Sequence, residues 1–141
     1  MVESILVPVD GSETMERTVS FACDIVKMVG GSVTLLHVVA LPIPAEQSAY
    51  INLTPMEKWG EKILQTAEDI VKGKGCKADR ILKTDMQNAG HTIVRVAREG
   101  GFTLIIIHAR GHSRISTLIP LGSVCHTVAH RSPCPVMIVR P

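Results

Sequence analysis

Short apolar runs alternate with longer amphipathic segments along the chain, and this alternation limits the folds that the chain can adopt. Residues 4–10, 33–39, 103–107 and 134–139 have the length and composition of buried strands, and residues 78–84 form a weaker candidate. Amphipathic segments, several of which end at glycines, predict helices between them. The sequence therefore predicts an α/β protein, a Rossmann-like five-stranded parallel sheet with helices on both faces.

Local sequence features predict where the helices begin. Asp10-Gly11-Ser12-Glu13 is a turn and helix-start pattern, and Asn88 is a good N-cap. Thr54-Pro55-Met56-Glu57 predicts a capping box with Thr54 as the cap. Trp59 is expected to anchor this helix within its apolar stripe, and Gly122-Ser123 is expected to open the last helix.

Length and charge exclude several classes of protein. A chain of 141 residues predicts a single domain, 1–141. The net charge of +2, without a basic run, argues against a nucleic-acid partner. No apolar run approaches the length of a membrane span, and no basic segment precedes an apolar one at the N-terminus, so we expect a cytoplasmic location and no membrane partner. The 4 cysteines lack CxxC spacing and are expected to be free thiols.

Ligands of parallel α/β sheets bind at the carboxyl ends of the strands, near the point where the strand order switches. Residues 8–10, 38–39 and 108–112 follow predicted strands and should reach this edge. Gly122-Ser123 opens a helix, and the free amides and dipole of a helix N-terminus attract anions. Arg110 would add positive charge there. The alternative is that Gly122-Ser123 merely begins the helix and that Asp10 only bonds its own turn.

Four segments, in their order and spacing, resemble the universal stress protein family over essentially the whole chain. They are Ile5-Leu-Val-Pro-Val-Asp-Gly-Ser12, Leu104-Ile-Ile-Ile107, Leu121-Gly-Ser-Val124 and Ser132-Pro-Cys-Pro-Val-Met-Ile-Val139. The resemblance implies a five-stranded parallel α/β sheet, a dimer and a role in the stress response. The family divides into members that bind ATP and members that do not, so the candidate ligands are ATP and AMP, with or without Mg²⁺.

The ATP-binding members carry a motif from which this chain departs twice. The motif is Gly, two residues, Gly, nine residues and then Gly-Ser or Gly-Thr. The first glycine position is His108 here, and ten residues, 112–121, separate Gly111 from Gly122 instead of nine. A glycine lets the backbone approach a ligand closely, whereas the His108 ring would either fill the nucleotide space or swing aside and bond a phosphate.

The resemblance also assigns roles by position. Asp10 would contact the ribose or a metal-bound phosphate group, and Val39 would flank the adenine. Gly111 and the start of the last helix, 122–124, would hold the phosphates. The predicted nucleotide-binding residues are Pro8, Val9, Asp10, Val39, His108, Arg110, Gly111, Gly122, Ser123 and Val124.

Two functions follow from these residues. The first is a nucleotide-responsive homodimer that pairs through the C-terminal strand, 136–139; no nucleophile or general base stands near the predicted phosphates, so turnover should be absent or slow. The second is a nucleotide-free dimeric interaction protein in which His108 blocks the site. Enzymes of related folds that adenylate carbonyl groups carry a serine- and glycine-rich loop after the first strand, and Asp10-Gly11-Ser12 is too short a match.

Other histidines and cysteines suggest no metal site. His126 and His130 share one face of the last helix, but Cys125 points about 100° away and Cys134 lies on the next strand. This spacing is unlike a tetrahedral zinc site, so no metal ligand is assigned. His37 lies within a strand and is expected to be an interior group with a hydrogen-bond partner.

Overall fold

Strands and helices alternate through the chain, and the computed structural model describes residues 3–40, 46, 52–85, 88–109 and 122–141. The strands are β1 (Ser4–Pro8), β2 (Ser32–Ala40), β3 (Ala78–Asp85), β4 (Leu104–His108) and β5 (Val136–Val139). The helices are α1 (Met15–Val29), α2 (Thr54–Gly73), α3 (Ala89–Glu99) and α4 (Ser123–Arg131). Within these residues, no helix is long and apolar enough to cross a membrane.

The strands form one five-stranded sheet in the order β3-β2-β1-β4-β5, and every neighbouring pair is parallel. This confirms the predicted fold class. β1 is the middle strand, so the chain builds one half of the sheet outward from β1 to β3 and then crosses to β4 and β5 on the other side. The strand order therefore switches between β1 and β4.

Each face of the sheet is covered by its own pair of helices, because successive strand residues point to opposite faces. Ile5 and Val7 of β1 pack with α1 and α2 in one apolar cluster. Leu6 of β1 packs with α3 and α4 in the other. Burial on both faces explains why β1 and β4 are continuous apolar runs rather than alternating ones.

The start of α2 differs from the prediction. Thr54 is the first helical residue, and Leu53 at the N-cap position offers no side-chain hydrogen bond. The backbone N–H of Thr54 donates instead to Oδ1 of Asn52, at 3.0 Å. The predicted capping box is therefore wrong. In such a box the Glu57 side chain would accept the Thr54 N–H, whereas here the side chain of Asn52 accepts it.

Trp59 does not anchor α2, since 62% of its surface is exposed. The buried stripe of the helix instead consists of Gly60, Ile63, Leu64, Ala67 and Val71. By contrast, the predicted cap of α3 is confirmed, because the side chain of Asn88 accepts a hydrogen bond from the Gly90 N–H at 2.7 Å. This bond satisfies one of the free amides at the beginning of α3.

Candidate functional site

A crevice opens between β1 and β4 at their carboxyl ends. The ladder between these strands reaches only as far as the pair Leu6 and Ile105. Beyond it, the Val9 N–H donates to β2 at 2.8 Å and the Ala109 N–H donates to β5 at 2.9 Å. At this level each central strand is hydrogen-bonded only to its outer neighbour, which leaves a gap between β1 and β4. This gap lies at the switch in strand order, where folds of this type bind ligands.

Asp10 and His108 bridge this crevice. Nε2 of His108 lies 3.0 Å from Oδ2 of Asp10, and only 8% of the histidine is exposed. The other carboxylate oxygen, Oδ1, accepts the Ser12 N–H at 2.9 Å. Asp10 therefore bonds its own turn, as the alternative interpretation of this residue predicted, and it also pairs with His108 across the crevice.

The surroundings of Asp10 hold its carboxyl group in the ionised form. Burial alone would raise the pKa of Asp10, but the hydrogen bond and charge of His108 and the hydrogen bonds from Ser12 together lower that pKa well below its usual range. An ionised carboxylate only accepts, so Nε2 of His108 donates. The second ring nitrogen, Nδ1, is buried and has no hydrogen-bond partner in the described structure.

A cavity of about 240 Å³ lies beside the Asp10–His108 bridge, on the side of the sheet that α3 and α4 cover. Its wall is mainly apolar and includes Leu36, Val38, Ile93, Ile107 and Cys125. Burial raises the pKa of the Cys125 thiol, so this side chain remains protonated and is a poor nucleophile. The cavity combines an apolar wall with a few polar groups, as small-molecule sites do.

The beginning of α4 forms the polar end of the cavity. Gly122 has no side chain to cap the helix, so no side-chain hydrogen bond is made at the N-cap. The Gly122 N–H, predicted to hold a phosphate, donates to the carbonyl of Ala109 at 2.8 Å. The amides available at the helix start are therefore those of the first turn, and Ser123 and Val124 both line the cavity.

The structure brings most of the predicted site residues together. Those that line the cavity are Pro8, Val9, Asp10, His108, Gly122, Ser123 and Val124. Arg110 and Gly111, with the spacer 112–121, lie outside the described residues. Val39 is 3% exposed and does not line the cavity. Its neighbour Val38 does, since the alternation along β2 turns these two side chains to opposite faces.

Sequence reasoning missed the contribution of α3. Ala89 and Ile93 line the cavity from the first turns of this helix. The pattern that could have identified them is the Asn88 cap, because α3 follows β3 and must begin at the edge of the sheet where the strands end. The helix packs over the β2 end, which makes its first inward-facing residues part of the site.

His37 supports the rim of the cavity and has the hydrogen-bond partner that was predicted for it. Its Nδ1 lies 2.8 Å from the carbonyl oxygen of Val9. The ring packs on α2 where the helix carries Gly60: a Cβ there would lie 2.8 Å from Cδ2 of His37 and from Cδ1 of Leu82. Gly60 thus permits α2 to approach the strand that carries His37.

The residues weighed as a zinc cluster do not converge. Cys125 is buried, whereas His126 and His130 are exposed and their rings stack with centroids 6.2 Å apart. No group of three or more candidate ligands is found among the residues that the structure describes. All four cysteines are free thiols, as predicted. Burial, with a smaller contribution from neighbouring Cys76, raises the pKa of Cys23 to about 11.

The fold and the site define a Rossmann-like α/β protein with a small cavity at its switch point. Residues 1–140 match the model of the universal stress protein family, and the chain belongs to this family. The universal stress protein YxiE of Bacillus subtilis is 30% identical over 151 aligned residues, which cover 99% of this chain and 100% of YxiE. The family resemblance of the sequence is therefore confirmed.

Solved structures show the same fold. The universal stress protein from Archaeoglobus fulgidus in complex with dAMP is 24% identical in sequence, with a TM-score of 0.74. The match covers 98% of this chain and 98% of that chain. A universal stress protein in complex with cAMP is also 24% identical, with a TM-score of 0.74, and the match covers 97% of this chain and 96% of that chain.

Proposed function

We propose that this chain is an adenine-nucleotide-binding stress protein that acts as a homodimer in the cytoplasm. The observation that carries the proposal is the cavity at the switch point, where an apolar wall, an ionised carboxylate and the first turn of α4 meet. Two solved structures of the same fold contain a protein in complex with dAMP or with cAMP, which supports an adenine nucleotide as the ligand. In this role, ligand occupancy changes the surface that the protein presents to partners.

The residues of the cavity fit the parts of such a ligand. The apolar wall between Val38 of β2 and Ile93 of α3 would take the adenine. The Asp10 carboxylate, which only accepts hydrogen bonds, suits the ribose hydroxyls. The amides of Ser123 and Val124, at the positive end of the α4 dipole, suit a phosphate.

Mg²⁺ would bind together with the nucleotide phosphates rather than at a separate site formed by protein side chains. Asp10 is the only carboxylate among the described residues of the cavity wall, and both of its oxygens already accept hydrogen bonds. Mg²⁺ usually keeps several waters and shares its remaining ligands between one or two carboxylates and the substrate phosphates. We assign the chain no catalytic step.

Thermal unfolding tests the proposal. The purified protein is heated with millimolar adenosine, AMP or ATP, each with and without Mg²⁺, and with GMP as the control for the base. A ligand at about 100 times its Kd stabilises the folded state by about 2.7 kcal/mol, which raises the Tm by several degrees. No rise with any adenine nucleotide, together with no adenine nucleotide in a mass spectrum of the purified protein, contradicts the proposal.

A second candidate function is a nucleotide-free dimeric interaction protein. The Asp10–His108 bridge favours it, because the imidazole occupies the crevice that ligands use in this type of fold. This candidate predicts that His108→Gly gains nucleotide affinity while the wild-type protein has none. Both candidates share the dimer and differ only in the ligand.

The proposed dimer pairs through β5, which is an edge of the sheet. A groove between α1 and this edge is lined by Phe21 and Met137, which are 38% and 39% exposed, and by Arg17 and Arg140. An exposed strand edge with apolar side chains is a template for pairing with another chain. A second copy of β5 would satisfy its free backbone groups.

A further inference from the structure

We propose that Cys23 and Cys76 form a peroxide-sensitive thiol pair, which hydrogen peroxide converts into a disulfide within one chain. Cys23 lies in the middle of α1, and Cys76 lies in the turn between α2 and β3. Both pack in the apolar cluster that α1 and α2 form on their face of the sheet. The candidate nucleotide cavity lies on the side of α3 and α4 instead, so the proposal does not depend on a nucleotide ligand.

The side chains of the two cysteines are neighbours. Sγ of Cys76 lies 4.0 Å from the carbonyl oxygen of Cys23. Burial is the main cause that raises the pKa of Cys23, and the charge and hydrogen bonding of the Cys76 thiol raise that pKa further, to about 11. One thiol affects another in this way only at short range, so the two sulfur atoms lie close together.

The backbone holds Cys76 in this position from both sides. α2 ends in a tight turn in which Gly75 adopts a φ of +79°, and the Cys76 N–H donates to the carbonyl of Val71 at 3.1 Å. Two residues after Cys76, Ala78 begins β3 and pairs with Val33 of β2. A disulfide needs two backbone positions that are already close, so the fixed position of Cys76 against α1 favours the bond.

The two thiols differ in their access to solvent. Cys23 is 0% exposed, whereas Cys76 is partly exposed, so hydrogen peroxide reaches Cys76 first. The Lys74 ammonium, which pairs with Asp24 at 2.8 Å, lies near both sulfur atoms. A positive charge beside a thiol favours the thiolate, which is the form that reacts with peroxide, although Asp24 offsets part of this charge.

The oxidation takes two steps. The Cys76 thiolate attacks one oxygen of hydrogen peroxide: an S–O bond forms, the O–O bond breaks, and the hydroxide that leaves takes up the proton lost by the thiol. The Cys23 sulfur then attacks the sulfur of the Cys76 sulfenic acid. The S–S bond forms, the S–O bond breaks, and the hydroxyl group leaves as water with the Cys23 proton. The two thiols are oxidised by two electrons, and the peroxide is reduced to two waters.

Cys134 provides the matched comparison. It is also partly exposed, but its sulfur lies 3.6 Å from the hydroxyl oxygen of Ser132. Cys125 packs in the same apolar cluster, and the pKa of its thiol is raised by burial rather than by a neighbouring thiol. All four cysteines lie within the described residues, and among them only Cys23 and Cys76 are neighbours. An oxidised Cys134 therefore has no thiol beside it in the folded chain.

Three proteins test the proposal: the wild type, Cys76→Ser and Cys134→Ser. Each is reduced, treated with hydrogen peroxide under native conditions and then with catalase, and its remaining thiols are labelled with iodoacetamide in urea. Trypsin releases Cys23 in the peptide 18–27 and Cys76 in the peptide 75–77, and mass spectrometry detects the labels and the linked pair. Circular dichroism establishes that the variants fold, and Cys76→Ala replaces Cys76→Ser if the serine variant does not.

We expect the wild type to lose the labels on Cys23 and Cys76 together, in proportion to the linked peptide, and dithiothreitol should restore both. Cys134→Ser should form the same link, whereas Cys76→Ser should keep the label on Cys23. The proposal is overturned if both thiols stay free, if Cys76 becomes a sulfinic acid without a link, or if non-reducing electrophoresis shows that the link joins two chains. Loss of the Cys23 label in Cys76→Ser also contradicts it. None of these results bears on nucleotide binding.

Discussion

His108 and Asp10, 98 positions apart in the chain, share a hydrogen bond of 3.0 Å between Nε2 and Oδ2. The bond joins two central strands at a level where they make no ladder contact. Because Asp10 also accepts the Ser12 N–H, the pair fixes the turn that leads into α1 as well. A single carboxylate thus contributes to the fold and stands at the edge of the candidate site.

Asp10 should make the stability of the protein depend on acid pH. Its pKa in the folded protein lies below the unfolded value of 3.8, so its contribution is complete above that pH and is lost as the pH falls through the folded pKa. With 34% of this side chain exposed, we expect Asp10→Asn to cost about 1–2 kcal/mol near pH 6. Urea unfolding measures the free energy of unfolding of both proteins, and the difference between them should shrink below about pH 4.

Asp24→Asn is the matched control for this measurement. It removes a surface ion pair with Lys74, in which the Asp24 side chain is 52% exposed. Ion pairs this exposed contribute little to stability, so the control should unfold almost as the wild type does at pH 6. A loss of stability in Asp10→Asn that stayed constant from pH 6 to pH 2 would mean that the carboxylate charge is not the cause.

The architecture could be predicted because its strands are buried on both faces. Such strands appear as continuous apolar runs, and β1 and β4 are of this kind. The cap of α3 was equally accessible, since Asn88 accepts the Gly90 N–H within its own segment. The Thr54 capping box was just as local and failed, because the side chain of Asn52 accepts the Thr54 N–H instead.

Trp59 shows where such patterns fail. Its spacing of four from Ile63 places it on the same stripe of α2, yet the residue that meets the sheet is Gly60. The Gly60 position has no room for a Cβ because His37 and Leu82 lie against it. The helix is thus oriented by a close approach to another strand, and a helical period alone does not reveal that contact.

Gly60→Ala should destabilise the protein for this reason. The added methyl group would overlap the His37 ring, which its bond to Val9 holds in place, and overpacking of this kind costs about 1–3 kcal/mol. Gly73→Ala, at the other end of α2, meets nothing within 4 Å and should be neutral or stabilising by up to about 1 kcal/mol. Urea unfolding of both variants measures the contrast. Equal stabilisation by both would show that the helix has room at Gly60.

The site was only partly accessible from the sequence. The carboxyl ends of the strands placed Pro8, Asp10 and the α4 start correctly at one edge, since topology alone determines that. The direction of the His108 ring was not predictable, because its partner lies on another strand and no local pattern links the two. The choice between Val38 and Val39 depends on which face of the sheet holds the cavity.

A pair of phenylalanine substitutions on β2 tests the side of the sheet on which the ligand binds. Val38 lines the cavity, so Val38→Phe should fill part of it and weaken AMP binding by about tenfold or more, with little loss of stability. Val39 is buried on the other face, so Val39→Phe should cost about 1–3 kcal/mol through overpacking. Isothermal titration and urea unfolding separate the effects. Weaker binding in Val39→Phe alone would place the ligand on the α1 and α2 side.

The proposed dimer makes a further prediction at the β5 edge. Met137 is 39% exposed beside the groove, and an aspartate there would bring like charges together across a β5–β5 pair. Met137→Asp should convert a dimer of twice 15.3 kDa into a monomer, as measured by light scattering after size-exclusion chromatography. Met28→Asp is the control, since Met28 is 79% exposed at the end of α1 and should leave the dimer intact.

The two aspartate variants also separate the dimer from the ligand site. β5 lies beside β4, and the Val139 carbonyl accepts the Ala109 N–H next to the bridge residue His108. If pairing of β5 steadies this end of β4, the monomeric Met137→Asp should bind AMP more weakly than the Met28→Asp dimer does. A wild-type protein that is already monomeric would rule out the dimer, and a Met137→Asp variant that remains a dimer would place the interface elsewhere. Equal AMP affinity in both variants would show that the cavity works independently in each chain.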